Sequence, residues 1–73
     1  MKSKNRYIRE FDAFVSLVEK QSEYFIQDSD WELNDAEFAR LSEDLYWKYA
    51  EYLNSYERDQ IIKIRYRYKN AKS

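Results

Sequence analysis

Residues 62–69, Ile62-Lys63-Ile64-Arg65-Tyr66-Arg67-Tyr68-Lys69, carry two patterns at once. Apolar and basic side chains alternate, which marks a half-buried strand. Extended back by one residue, the same stretch sets Ile61, Ile64 and Tyr68 three and four residues apart, which is one face of a helix. A strand here would find no ladder partner in the rest of the chain. Its N–H and C=O groups would need a second molecule. Two neighbouring signals favour the helix. Asn54-Ser55-Tyr56-Glu57 has the shape of a capping box, with Asn as its first residue. Bases gather towards the C-terminal end, where the helix dipole suits them. The stretch is therefore expected to be helical, with an intermolecular strand as the alternative.

Working outward, the chain has no Gly and no Pro, so Asn, Asp and Ser must mark its turns. They cluster at Gln27-Asp28-Ser29-Asp30 and at Asn54-Ser55, which divides the chain into three segments. The first predicts a helix over about 5–27. Tyr7, Phe11, Phe14, Val15, Val18 and Phe25 form its apolar face, Ile8, Ser22 and Ile26 flank it, and Leu17 and Tyr24 make a second edge. The second predicts a helix over about 30–53, opened by the S-x-x-E box of Ser29 and Glu32, with Asn34-Asp35-Ala36-Glu37 as a second start signature. Its stripe is Trp31, Phe38, Leu41, Leu45, Tyr49 and Tyr52, with a seven-residue repeat at 31, 38, 45 and 52. The third covers about 55–70, with Ile62 and Tyr66 as a second edge beside Ile61, Ile64 and Tyr68. The expected fold is all-α, an antiparallel three-helix bundle in a single domain, residues 1–73. The third helix is expected to be the shortest, leaving one end of the first hairpin uncovered.

Composition narrows the chemistry. With 73 residues the chain holds one small domain with a marginal core. Lacking Cys and His, it has no disulfide, thiolate or imidazole metal ligand, and no His base. Without Gly it has no phosphate-cradling glycine loop. Two Trp, eight Tyr and four Phe remain to build the core. The 13 bases and 14 acids are unevenly placed. Residues 1–10 and 58–73 are basic, whereas residues 11–57 hold three bases against twelve acids. Either the ends lie against the middle, or they offer a basic surface to an anionic partner. No apolar run reaches the roughly 18 residues of a membrane span. The basic start has no apolar stretch behind it, so the sequence as given reads as cytoplasmic; an envelope location would require a signal segment already removed.

From Asp30-Trp31 onward a further pattern emerges. Phe38-x-x-Leu41-Ser42, Tyr46, Tyr49, Leu53-Asn54-Ser55-Tyr56-Glu57, Ile61-x-x-Ile64 and Arg67-Tyr68 follow in order. This resembles an uncharacterised family of small bacterial all-helical domains, often found behind a secretion or lipoprotein signal. Those domains share a D-W helix start, an aromatic-x-x-Leu-Ser core and a Thr-Pro-Glu-Glu start to the last helix. Here Asn54-Ser55 stands in place of Thr-Pro, and the family's Gly residues near the end are missing. The resemblance implies a helical fold and an envelope setting, and brings no activity with it.

Few residues point to chemistry. Asp28-Ser29-Asp30-Trp31-Glu32-Leu33-Asn34 spaces oxygens like the start of a calcium loop, but Leu33 and Ala39 stand where Gly and Glu are required. Acid pairs such as Glu19 and Glu23 suit solvated helix faces, and di-metal carboxylate bundles also need Glu-x-x-His. Lys63 and the tyrosines qualify as bases only if buried. No catalytic, cofactor or metal residue is therefore expected, nor a small-molecule ligand. Two surfaces stand out. Trp47 falls about 160° from the core stripe, on the polar side of Ala36, Arg40, Glu43 and Glu51. It reads either as an interface anchor with Tyr46 and Tyr56 widening the patch, or as a lone exposed aromatic folded over the stems of Arg40 and Glu51. Arg58, Arg65 and Lys69 align on the last helix and offer contacts to an anion or a nucleic-acid backbone, whereas Tyr66 and Tyr68, about 200° apart, cannot form one stacking platform. The expected function is a non-catalytic helical interaction module whose partner is another protein or a second copy. Nucleic-acid binding through the third helix and the N-terminal arm is the alternative.

Overall fold

The computed structural model describes residues 3–25 and 27–72. Lys2, counted in the basic arm, and Ile26, counted on the flank of the first helix, lie outside them. Three helical rods run up, down and up, and no strand occurs among the described residues. Residues 62–69 are helical throughout, inside α4, Ser55–Lys72.

The first rod is α1, Lys4–Gln21. Ser3 caps it, its hydroxyl accepting from the Arg6 N–H at 3.3 Å. Tyr7, Phe11, Val15 and Val18 are buried along one face. The rod ends earlier than its apolar pattern suggests. A 3-10 turn, Ser22–Tyr24, closes it and Phe25 is already extended. Leu17 and Tyr24, expected as a second packed edge, are exposed, because the rod meets its neighbours on one narrow face.

The middle rod is composite: α2 (Asp28–Ala39), a π-helical turn (Arg40–Asp44), α3 (Leu45–Tyr49) and a 3-10 turn (Ala50–Tyr52). It starts before the expected Ser29 box. Gln27 is the N-cap, and its backbone N–H donates to the Asp30 carboxylate at 3.0 Å. Asp30 thus fills the part assigned to Glu32, one turn after a cap two residues earlier. The π turn has a larger effect. A π turn holds one residue more than the α turn it replaces. It therefore rotates everything after it by about one residue, roughly 100°. The expected repeat of 31, 38, 45 and 52 holds through Leu45, which packs against the core, and fails at Tyr52. Of the expected stripe, Trp31, Leu41 and Tyr49 are buried. Only at the closing 3-10 turn does the register differ, where the extended Leu53 fills the core and Tyr52 is 62% exposed.

The π turn frees a backbone carbonyl. The Leu45 N–H reaches back five residues to the Arg40 carbonyl, not four to that of Leu41. The Leu41 carbonyl instead accepts the buried Tyr7 hydroxyl at 2.6 Å. The next carbonyl, that of Ser42, accepts from the Arg65 guanidinium on α4. One donor from each flanking rod thereby supports the turn.

The last rod, α4, opens on the expected box. The Glu57 N–H donates to the Asn54 side-chain oxygen at 2.8 Å, and the Asn54 N–H returns to the Glu57 carboxylate at 2.9 Å. Ile61, Ile64 and Tyr68 are buried, whereas Ile62 and Tyr66 are exposed rather than forming an edge. With 18 residues each, α1 and α4 match in length, so α4 is not the short member.

The core is largely aromatic. Tyr68 stacks on Phe38 with ring centroids 4.1 Å apart, meets Trp31 edge-on at 5.9 Å, and lies 5.9 Å from Phe14. At the other end Tyr7 stacks on Tyr49 at 5.2 Å. No described residue has a positive φ. Among them no helix is long and apolar enough to cross a membrane.

Candidate functional site

Trp47 lies in α3, where the middle rod faces solvent, and is 75% exposed. Its indole meets the Tyr46 ring edge-on at 5.4 Å. Tyr46 is half-buried, and the Arg65 guanidinium covers its ring at 4.7 Å. Arg65 is fixed in turn by the Ser42 carbonyl. A chain of contacts therefore runs from α4 through Arg65 and Tyr46 to Trp47. Tyr56 stands 70% exposed on the first turn of α4 and makes no ring contact among the described residues. The geometry thus joins Tyr46, but not Tyr56, to Trp47. Glu43, Asp44 and Glu51 lie exposed within a turn of the indole. None of the three enters an ion pair among the described residues.

The three bases read as an anion contact are placed differently from one another. Arg65 faces inward, as described. Arg58 donates to the Ala50 carbonyl at 3.1 Å and satisfies one carbonyl near the end of the middle rod. Lys69 is exposed, beside Lys72 on a shallow hollow floored by Phe38 and Tyr68. The alignment of Arg58 and Arg65 therefore points towards the middle rod.

Charge closes the bundle. Lys4 meets Glu57 at 2.9 Å and also donates to the Tyr52 carbonyl at 3.1 Å. Arg67 on α4 pairs with Asp12 and with Glu19 on α1, and donates to the Ser16 hydroxyl at 2.9 Å. Lys72 reaches Asp35 at 2.5 Å, and Arg40 joins Glu10 and Glu37. Basic ends do lie against the acidic middle. Burial alone would raise the Asp35 carboxyl. Hydrogen bonds from Lys72 and from the Tyr68 hydroxyl outweigh it and hold the carboxyl below the usual range. The Asn54 N–H, and then Lys4, do the same for Glu57. Burial pushes the Tyr7 and Tyr68 hydroxyls up, so both stay protonated donors.

A second feature lies between α1 and α4. An open groove of about 410 Å³ has Ile8 and Ile64 in its lining, with Arg9 and Lys63 on its rim. Arg9 and Lys63 are exposed and enter no ion pair among the described residues. The sequence carried a faint trace of this groove. Ile8-Arg9 and Lys63-Ile64 each set a base beside an isoleucine, but nothing in their spacing brings the two pairs together. No group of three or more carboxylates among the described residues is arranged to hold a metal ion. No protein-family model, curated protein or solved structure matches this chain.

Proposed function

We propose that the protein is a non-catalytic helical interaction module that associates with itself through Trp47. The supporting observation is the combination of exposure and support at that residue. A Trp that is 75% exposed lies against Tyr46, and Tyr46 is itself held by Arg65. An aromatic fixed before contact loses little side-chain freedom on binding, which favours an anchor role. A small domain with a marginal core also gains stability from a partner. The non-catalytic reading is supported by composition: with no His and no Cys, the chain lacks an imidazole base and a thiol nucleophile. The resemblance to small bacterial helical domains adds no activity to this picture.

Nucleic-acid binding has less support. Arg58 and Arg65 spend their donors on backbone carbonyls of the middle rod, which leaves Lys69 of the three aligned bases.

Sedimentation velocity over a range of concentrations tests the proposal. Wild type should gain mass with concentration, and Trp47→Ala should remain monomeric. Two monomers throughout would overturn it.

A further inference from the structure

The Trp47 surface and the α1–α4 groove complement each other. The first is an apolar ridge among carboxylates. Glu43, Asp44 and Glu51 are exposed within four residues of the indole, and Glu51 also bonds the Tyr52 hydroxyl. Of the nearby bases, Arg65 is held on Tyr46 and the Ser42 carbonyl, and Arg40 by Glu37 and Glu10. Lys48 lies over the Tyr49 ring at 5.8 Å. The second is a mainly apolar trough, with Ile8 and Ile64 in its lining beside Gln60, and with Arg9 and Lys63 on its rim, cations that enter no ion pair among the described residues. The Arg67–Asp12 pair in the same lining is internally neutral. At about 410 Å³ the groove lies within the roughly 300–1,000 Å³ typical of ligand sites, which take molecules larger than an indole.

The two features lie on opposite sides of the bundle. Arg65 touches the middle rod at Ser42 and Tyr46. Lys63 is two residues earlier, about 200° round the helix. The groove therefore opens away from the middle rod, and Trp47 looks out from that rod's far face. No copy can place its own Trp47 in its own groove.

We infer that the occupant of the groove is Trp47 of a second copy, with the carboxylates around the indole facing Arg9 and Lys63. This deepens the proposed self-association and rests on it, because it names the surface that receives the anchor. The contact is head to tail. Each copy keeps one free ridge and one free groove, so association continues into a string or closes into a ring.

Two variants of the full chain separate the surfaces. Trp47→Ala removes the ridge and keeps the groove. The double variant Arg9→Glu, Lys63→Glu reverses the rim and keeps the ridge. Circular dichroism confirms that both are folded, and sedimentation velocity at low salt reads the outcome. Each variant alone should be monomeric. An equal mixture should form a heterodimer and stop there, because the only competent ridge meets the only competent groove. Added salt should weaken that heterodimer. If the double variant associates like wild type while Trp47→Ala is monomeric, Trp47 packs elsewhere: the groove assignment fails and the Trp47 interface survives. A mixture that stays monomeric also overturns the groove assignment. A monomeric wild type overturns both.

Discussion

Replacing Tyr7 by Phe removes one oxygen atom from the core and leaves the ring. The residue is 2% exposed, and its ring lies against Tyr49 at 5.2 Å and Phe11 at 6.2 Å, contacts that Phe can keep. The oxygen, however, is the donor to the Leu41 carbonyl at 2.6 Å. That carbonyl has lost the Leu45 N–H to Arg40, and Leu41 is fully buried. The substitution therefore strands an acceptor away from water. A buried group left without its partner costs about 1–3 kcal/mol. Taking about 2 kcal/mol, a domain of this size should melt roughly 8–16 °C lower. Regular α-helical bonding could be restored only by rotating the rod beyond residue 44. Thermal and urea melts followed at 222 nm measure the loss. The urea m-value should not change, because both proteins bury the same surface. Tyr24→Phe is the control: that ring is 73% exposed, and its loss of a hydroxyl should fall within about 0.5 kcal/mol. Amide exchange at Leu45 should also speed up in the Tyr7 variant. If Tyr7→Phe melts with the control, the hydroxyl does not support the π turn and the reasoning fails.

Asn54→Ala removes the acceptor for the Glu57 N–H and should cost about 1 kcal/mol in a urea melt, whereas Asn54→Ser should restore most of it. Stability should be nearly level from about pH 5 to pH 8, because the chain has no His. Asp35, Glu37 and Glu57 have carboxyls held below their ordinary values. Their stabilisation is present above the unfolded carboxylate range, near pH 4, and should be lost as pH falls through the lower folded values. Tyr7 and Tyr68 are raised in the fold, so their contribution is complete below about pH 10 and should fade as pH rises beyond it. Melting temperatures across the pH range check both limbs.

The three rods were legible because turn residues cluster only twice and the apolar spacing between them is helical. The Asn54 box was legible because capping depends on residues three apart, whatever the rest of the fold does. The π turn was not. Leu45, Tyr46, Tyr49, Tyr52 and Leu53 offer apolar side chains in both registers, so the pattern fits a continuous helix as well as a slipped one. What selects the slip is long-range: Tyr7, 34 residues away, and Arg65, 23 residues on. The same distance hid the role of Arg65, which on its own helix looks like one of three aligned surface cations. Trp47 was legible as outward because its polar neighbours mark a solvated face on either side of the turn. The groove was not, because it exists only where α1 and α4 run side by side.

The uniformly negative φ angles have a practical consequence. Every described position has a backbone conformation whose φ sign suits any L-residue, so none requires glycine. A substitution at the connections, such as at Phe25 or Leu53, does not force a strained turn. An alanine scan of this chain would report side-chain losses without the backbone penalties that replacing a left-handed glycine brings. What holds the connections to their residues is therefore side-chain work alone, the burial of Leu53 and the caps at Gln27 and Asn54, and not the path of the backbone.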